Sequence, residues 1–167
     1  GILNVPHPQV MMHFLRGNFK QMLKSWYIGF FQIPGLADWL MKINNYAGAL
    51  RLLRSSGKEN TFSEEDLAAY REAYINSGGL TGMINWYRAL LRFQPTYPEK
   101  GCLRMPVLIL WGQQDVALDA AMAIESLKYC EQGKLIFFEE ATHWLQHDEP
   151  AAVTSHLIEY LSQSLSA

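Results

Sequence analysis

The sequence has few cysteines, no marked excess of either charge and no long hydrophobic run. Two cysteines among 167 residues are too few for a disulfide framework, and their spacing fits no metal site. They weakly favour a reducing compartment. Lysine and arginine number 14 against 16 acidic residues, without a basic patch, which argues against a nucleic-acid partner. A membrane-spanning helix needs about 20 predominantly apolar residues in a row, and the sequence encodes none.

The sequence also has no secretory signal peptide and does not begin with methionine. Residues 2–5 have the apolar character of a strand end and are followed by Pro6-His7-Pro8. Because a fold rarely begins with the end of a strand, we expect further sequence upstream of Gly1. An anchor to a membrane could lie there.

The chain has an ordinary globular composition, with 49% hydrophobic and 18% charged residues. Its length is normal for one domain with a sizeable core. Apolar residues recur at helical spacing from Val10 to about Arg54, with an interruption at Pro34-Gly35. Ser63 before three acidic residues predicts a helix start, and a further amphipathic helix ends before Pro95.

After Gly101 the pattern changes to alternating strands and helices. We predict strands at 107–111 and 134–138, each followed by a helix, at 119–130 and 150–164. Strands that are apolar throughout indicate parallel pairing with both faces buried. The predicted fold class is therefore α/β. Residues 1–8 end a core strand, 9–100 form a helical cap, and 101–167 form a βαβα unit of a parallel sheet.

Asp115 and His143 each follow one of the two predicted strands. Side chains at the carboxyl ends of parallel strands meet at one edge of the sheet, where such folds place their ligands. A carboxylate and then an imidazole are typical of the last two members of a catalytic triad. Taken alone, Asp115 is about equally well read as a turn-forming residue that caps the next helix. His143 alone could be a loop histidine, but the pair favours chemistry.

Tyr27 and Tyr87 lie in two aromatic-rich helical segments. Periodicity alone favours core packing for each of them. A phenol is also a neutral hydrogen-bond donor with a pKa near 10, suited to a developing alkoxide. Both interpretations remain open from the residues themselves.

At this point the chain resembles the α/β-hydrolase-fold epoxide hydrolases, over nearly all of its length. Residues 4–8 look like the end of the strand that precedes the family's helical cap. Residues 27–35 (Tyr-x-x-x-Phe-Gln-x-Pro-Gly) and 85–88 (Asn-Trp-Tyr-Arg) look like the cap segments that hold its paired tyrosines. Residues 111–115 look like the acid loop and 142–150 like the histidine loop. The two tyrosine segments, in this order, are the most specific part of the match.

The resemblance implies a two-step hydrolysis of an epoxide to a vicinal diol through a covalent aspartyl ester. Tyr27 and Tyr87 would donate hydrogen bonds to the epoxide oxygen. His143 would be the general base for the hydrolytic water, and Asp115 the acid that orients it. The substrates would be a small lipophilic epoxide and water, with no cofactor and no metal. The substrate pocket would be lined by Trp26, Phe30, Phe31, Trp86, Trp144 and His7, although His7 is more simply explained as a turn residue.

The chain departs from the family in lacking a nucleophile. No nucleophile elbow and no His-Gly-x-Pro loop precede the cap. The other aspartates ahead of His143 are interpreted as helix residues or caps: Asp38, Asp66 and Asp119. We therefore expect the nucleophile-bearing N-terminal half to lie outside this sequence, and the chain alone to be inactive.

Other interpretations remain open. The acid and histidine loops suit haloalkane or haloacid dehalogenases and serine esterases equally well. A non-catalytic truncated fragment is a third possibility, and its exposed strand edge predicts self-association. For the compartment, the cytoplasm and an association with the endoplasmic reticulum through an upstream segment both remain open.

Overall fold

The structure is a computed structural model that describes residues 1–76, 78–93 and 101–164. Its contacts divide the chain into two units, which are described separately. The sheet unit comprises Gly1–Lys24 and the described residues from Gly101 onward, and the helical unit comprises those from Ser25 to Phe93. Residues 9–24, assigned to the cap from the sequence, thus pack within the sheet unit. The role of the helical unit as a cap stays a prediction.

The described strands all lie in the sheet unit, and the described elements of the helical unit are helices. In chain order, the elements are β1 (Ile2–Leu3), α1 (Pro8–Gly17), α2 (Phe19–Lys24), α3 (Trp26–Phe31), α4 (Leu36–Ser55), α5 (Glu64–Asn76), α6 (Gly79–Arg92), β2 (Val107–Gly112), α7 (Ala121–Leu127), β3 (Gly133–Phe138), α8 (Leu145–Asp148) and α9 (Pro150–Ser164). The predicted strands at 107–111 and 134–138 are confirmed to within one residue at each end.

The described part of the sheet has the order β1-β2-β3, with both pairs parallel. The central strand β2 is buried along its whole length. Because successive side chains of a strand point to opposite faces, Ile109 and Trp111 pack on one side, with α1 and α7, while Leu108 and Leu110 pack on the other, against α8 and α9. The prediction of parallel strands buried on both faces is therefore confirmed for β2.

The helical unit departs from the sequence prediction in one respect. The helical spacing after Pro34-Gly35 predicts an uninterrupted helix up to about Arg54, but α4 is broken at residues 43–46. Asn44 and Asn45 adopt left-handed backbone angles there, which asparagine tolerates better than most residues. The predicted helix start at Ser63 is confirmed, since Ser63 and Asp66 bond each other's backbone N–H. The predicted end of the next helix before Pro95 is confirmed, since α6 ends at Arg92.

Candidate active site

The acid and the histidine come together at the edge of the sheet where β2 and β3 end. Gly112 at the end of β2 pairs in register with Phe138 at the end of β3, so the loops that follow emerge side by side. The Nδ1 atom of His143 lies 2.8 Å from Oδ2 of Asp115. The structure thus brings together the two residues that the sequence predicted to meet. Their catalytic role stays a prediction.

Asp115 is almost completely enclosed, with its side chain 1% exposed. Its Oδ1 accepts hydrogen bonds from the backbone N–H groups of Ala117 and Leu118, at 2.8 and 2.9 Å. Its Oδ2 accepts one from Asn4 Nδ2 at 2.7 Å and faces His143. One oxygen of Asp115 therefore forms a turn while the other contacts the imidazole, and its catalytic role stays a prediction.

The same contacts keep the Asp115 carboxylate ionised. Burial raises its pKa, but the hydrogen bond and charge interaction with His143, together with the bonds from Asn4 and Leu118, outweigh burial. The net result is a pKa below the ordinary value. An ionised acid beside Nδ1 favours the tautomer in which Nδ1 carries the proton. Nε2 then holds a lone pair and is suited to act as a general base.

The histidine loop is shaped by its own short hydrogen bonds. Oδ2 of Asp148 accepts bonds from the backbone N–H and the hydroxyl of Thr142, at 2.7 and 2.6 Å. The ring of Trp144 stands edge to face with His143, with ring centroids 5.4 Å apart. The side chain of His143 is 29% exposed.

A glycine allows the two loops to approach each other. A Cβ atom on Gly112 would lie 2.2 Å from the carbonyl oxygen of Thr142 and 2.5 Å from that of Ala141. Both contacts are with backbone atoms, which cannot rotate away. A side chain at this position would therefore push the histidine loop away from the strand that precedes the acid loop.

Replacing Gly112 with alanine is accordingly expected to lower the free energy of unfolding by about 3 kcal/mol, the upper part of the range for overpacking. Urea denaturation followed by circular dichroism measures this change. The matched control is Gly82→Ala, whose new Cβ meets nothing within 4 Å in the first turn of α6. That variant should be neutral or more stable, by up to about 1 kcal/mol. Equal stabilities for the two variants would contradict the proposed close approach.

The acid loop is also held from the side by α2. The fully buried Gln21 accepts a bond from the backbone N–H of Asp119 at 2.9 Å and donates to the carbonyl of Ala117 at 2.7 Å. Nζ of Lys24 donates to the backbone oxygen of Asp115 at 3.2 Å. Residues 115–119 are therefore fixed at several backbone positions as well as through the carboxylate.

The two predicted tyrosines meet within the helical unit. Tyr27 lies on α3 and Tyr87 on α6, and their rings stand edge to face with centroids 5.5 Å apart. Burial raises the pKa of Tyr87, and a hydrogen bond with Tyr27 lowers it by less. Tyr87 therefore stays a neutral phenol at all ordinary pH values, as a hydrogen-bond donor must.

Side chains next to the tyrosines join α3 to α6. Arg88 donates from Nε to the carbonyl of Phe31 at 2.9 Å and pairs with Asp38 at 2.6 Å. The pKa of Asp38 lies below its ordinary value, chiefly because of the hydrogen bond from Arg88. Gln32 donates to the backbone oxygen of Tyr87 at 3.1 Å. The spacing of the two phenols is thus held by hydrogen bonds as well as by ring packing.

The predicted pocket residues occupy varied environments. In the helical unit Phe31 is buried, Phe30 is half-buried, and Trp26 and Trp86 are 61% and 67% exposed. In the sheet unit Trp144 is half-buried beside His143. Their assignment to one substrate pocket stays a prediction.

His7 is engaged in the turn that starts α1. Its Nδ1 accepts a bond from the backbone N–H of Gln9, so its Nε2 carries the proton and donates to the carbonyl of Gly101 at 3.0 Å. The ring is stacked on Tyr129, with centroids 4.2 Å apart, and burial lowers its pKa. These contacts favour the turn-forming interpretation of His7. Its place in a pocket stays a prediction.

Three residues in contact with the acid or its loop were not recognised from the sequence as part of the site: Asn4, Gln21 and Lys24. For Asn4 a signal was present, since an asparagine at the end of a predicted strand, just before Pro6-His7-Pro8, sits at the same sheet edge as Asp115. The remaining aspartates ahead of the histidine serve structure as predicted. Asp66, in the first turn of α5, accepts a bond from the N–H of Ser63, and Asp119 accepts one from the N–H of Ala121.

The residues that the structure describes contain no cluster of three or more histidine, cysteine, aspartate or glutamate side chains able to hold a metal ion. Over those same ranges, every helix falls short of the length and apolar character needed to cross a bilayer.

Parallel strands covered on both faces, with an acid after one strand and a histidine after the next, define this as part of an α/β-hydrolase fold. The solved structure of a Bacillus megaterium epoxide hydrolase in complex with an inhibitor matches 94% of this chain, with a TM-score of 0.79 and 28% identity, and the match covers 58% of that protein. This confirms the predicted fold class.

Curated relatives confirm the resemblance to epoxide hydrolases. The chain is 37% identical, over 95% of its length, to an AB hydrolase superfamily protein of Bacillus subtilis, YfhM, of which it covers 55%. It is 33% identical to epoxide hydrolase 2 of Caenorhabditis elegans and 32% identical to human epoxide hydrolase 4, each over 97% of its length, covering 47% and 46% of those proteins. The chain thus spans about half the length of these relatives. A comparison with descriptions of protein families gives no match.

Proposed function

We propose that this chain is the C-terminal portion of an epoxide hydrolase, comprising its helical cap and the last strands of its core. The observation that carries the proposal is the buried Asp115 carboxylate 2.8 Å from Nδ1 of His143, in a chain whose relatives are named epoxide hydrolases. The nucleophile is an aspartate supplied by sequence outside this chain. We call the longer protein in which this chain follows that aspartate the nucleophile-containing protein.

In the first step a carboxylate oxygen of the nucleophile bonds to an epoxide carbon. The ring C–O bond breaks, and its electron pair moves onto the ring oxygen, which takes up a proton. Tyr27 and Tyr87 are the donors to that oxygen. Two neutral phenols held against each other suit this task, since aimed donors stabilise charge as it develops without having to reorganise.

In the second step water hydrolyses the resulting ester. Nε2 of His143 takes a proton from the water, whose oxygen bonds to the ester carbonyl carbon. The ester C–O bond then breaks, the diol oxygen is protonated, and the nucleophile is regenerated. Asp115 holds the imidazole in the required tautomer and stabilises its cation.

The aromatic residues around the tyrosines favour a lipophilic epoxide. Phe31 packs on Tyr87 and Phe30 packs on Trp26, with centroids 5.2 and 6.0 Å apart. Pockets for small molecules are mostly apolar, with a few polar groups that orient the ligand. An aryl epoxide such as styrene oxide is therefore a suitable probe. The tyrosine pair also favours epoxide opening over dehalogenation or ester hydrolysis, whose leaving groups need no such pair of phenols.

The proposal is tested by a single turnover of styrene oxide in H2¹⁸O, with the nucleophile-containing protein in excess. Because the oxygen added to the substrate comes from the carboxylate, the first diol should contain no heavy oxygen. The label should appear in the nucleophile instead. Heavy oxygen in the first diol would exclude the ester mechanism. Turnover of a simple ester or a haloalkane but not of the epoxide would transfer the chain to one of the other hydrolase classes.

The chain alone is the control, and it should form no diol because it lacks the nucleophile. In the described sheet, β1 and β3 are the outer strands, and each of them pairs with β2 along one of its two edges. We propose that an unpaired edge leads to self-association when the chain is isolated. A single monomeric species in size-exclusion chromatography, melting cooperatively, would contradict the fragment interpretation.

A further inference from the structure

The side chain of Asn4 continues the sheet beyond the end of β1. The strand ends at Leu3, and the Asn4 backbone N–H still donates to the carbonyl of Leu110 at 3.1 Å. The Asn4 side chain then takes the place of a further strand residue, since its Oδ1 accepts a bond from the N–H of Gly112 at 2.8 Å. Asn4 is only 1% exposed.

This bond fixes which way the amide points. Oδ1 must face the donor on Gly112, and the amide nitrogen is therefore directed at Asp115, where it donates to Oδ2 at 2.7 Å. The backbone of Asn4 has a φ of 45°, a left-handed conformation that aims the side chain back across the sheet edge. Asparagine accepts this conformation at lower cost than most residues do.

Asp115 depends on this donor because its two oxygens are held differently. Oδ1 is fixed by backbone N–H groups of its own loop, at Ala117 and Leu118. Among the described contacts, Oδ2 has Asn4 as its donor besides His143. His143 is itself the group that this oxygen orients, so Asn4 is the donor that holds Oδ2 independently of the imidazole.

We propose that Asn4 is a positioning residue, which holds Oδ2 of Asp115 in place so that the carboxylate orients His143 for ester hydrolysis. The inference rests on the function proposed above. Asn4 lies in the sheet unit, touches neither substrate nor nucleophile in this mechanism, and acts through Asp115. It should consequently affect the second step and leave the first step unchanged.

The test compares Asn4→Gly and Asn4→Asp in the nucleophile-containing protein. Glycine tolerates the left-handed backbone, so it removes the amide without adding strain. Aspartate keeps the shape and can still accept from Gly112, but it places a second carboxylate against Asp115. Asn60 provides the matched control, because it also has a left-handed φ, of 69°, but is exposed in the helical unit.

For Asn4→Gly, hydrolysis of the ester should slow roughly 10- to 100-fold, the range expected for a lost hydrogen bond to a charged group. The rate of ester formation should stay within about twofold of the wild type. For Asn4→Asp, the new carboxylic acid can still donate to Oδ2 while it keeps its proton, since two carboxylates that share a site do not both ionise easily, so ester hydrolysis should decline as the pH rises and that proton is lost. The other charged groups near this cluster are Lys24, at the Asp115 carbonyl, and Asp148 on the histidine loop. Both are unchanged in the variants.

A readout without substrate separates this inference from the proposed function. The Nδ1 proton of His143 should give a downfield proton resonance in the wild type, assigned by its loss in His143→Gln. In Asn4→Gly that resonance should broaden or disappear through faster exchange, while Asn60→Gly should retain it. If the resonance behaves so but no epoxide is turned over, Asn4 positions Asp115 and the proposed function is wrong. An unchanged resonance, with unchanged ester hydrolysis, overturns the role of Asn4.

Discussion

Replacing His143 with glutamine in the nucleophile-containing protein is expected to stop diol formation and to trap the protein as its ester. General bases contribute about 10²–10⁴-fold to a rate, and glutamine cannot take the proton from water. Ester formation needs the nucleophile and the two phenols but not the imidazole. Intact-protein mass spectrometry after incubation with styrene oxide should therefore show one added epoxide per chain, formed at close to the wild-type rate.

Two further variants belong to this experiment, one at a second histidine and one at the acid. His156 on α9 packs edge to face with Phe138 and has no role in the proposed mechanism, so His156→Gln should turn over normally and accumulate no ester. Asp115→Asn should also accumulate ester, because an amide at this position no longer favours the tautomer in which Nδ1 carries the proton. Normal turnover by His143→Gln would remove His143 from the mechanism. Loss of both turnover and ester would show that the imidazole serves the first step as well.

The features that sequence predicted best are those with a strong periodic or positional signal. Residues 107–111 are apolar without interruption, which is typical of a strand buried on both faces, and this predicted the central strand of the sheet. Parallel pairing then requires that the ends of β2 and β3 share an edge, so the meeting of Asp115 and His143 followed from chain direction alone.

What the sequence did not reveal depends on contacts between distant segments. Asn4 and Asp115 are separated by more than a hundred residues, and only the parallel pairing of β1 with β2 places them together. The break in α4 was missed because Asn44 and Asn45 are compatible with a helix in isolation, and the apolar periodicity continues on both sides. The environment of Gln21 could not be foreseen either, because a glutamine within a short helix usually faces solvent.

The tyrosine pair yields the opposite kinetic signature from His143. Substituting phenylalanine for Tyr27 or for Tyr87 in the nucleophile-containing protein is expected to slow ester formation about 10²- to 10³-fold, the usual cost of one lost donor to a developing oxyanion. Hydrolysis of an ester already formed should be unaffected. No adduct should therefore accumulate, and adding His143→Gln to either variant should only slow the appearance of the adduct.

The ring contact makes the double variant more informative than either single one. Tyr27 and Tyr87 share a hydrogen bond and an edge-to-face contact, so each substitution also changes the partner that remains. Two groups that serve one oxygen and touch each other are not expected to act additively. The double variant should therefore lose less than the product of the two single losses, as measured by the rate at which the adduct appears.

Tyr74→Phe is the matched control for these variants. Tyr74 is a buried tyrosine of the same helical unit, and burial raises its pKa as it does that of Tyr87. Tyr74 has no role in the proposed mechanism. Its substitution should leave ester formation within about twofold of the wild type. Phenylalanine at both 27 and 87 keeps the aromatic packing with Phe31 and removes only the hydroxyl groups. If that double variant opened the epoxide at the wild-type rate, the phenols would be core aromatics only. The acid and histidine would then remain in place for one of the other α/β-hydrolase reactions.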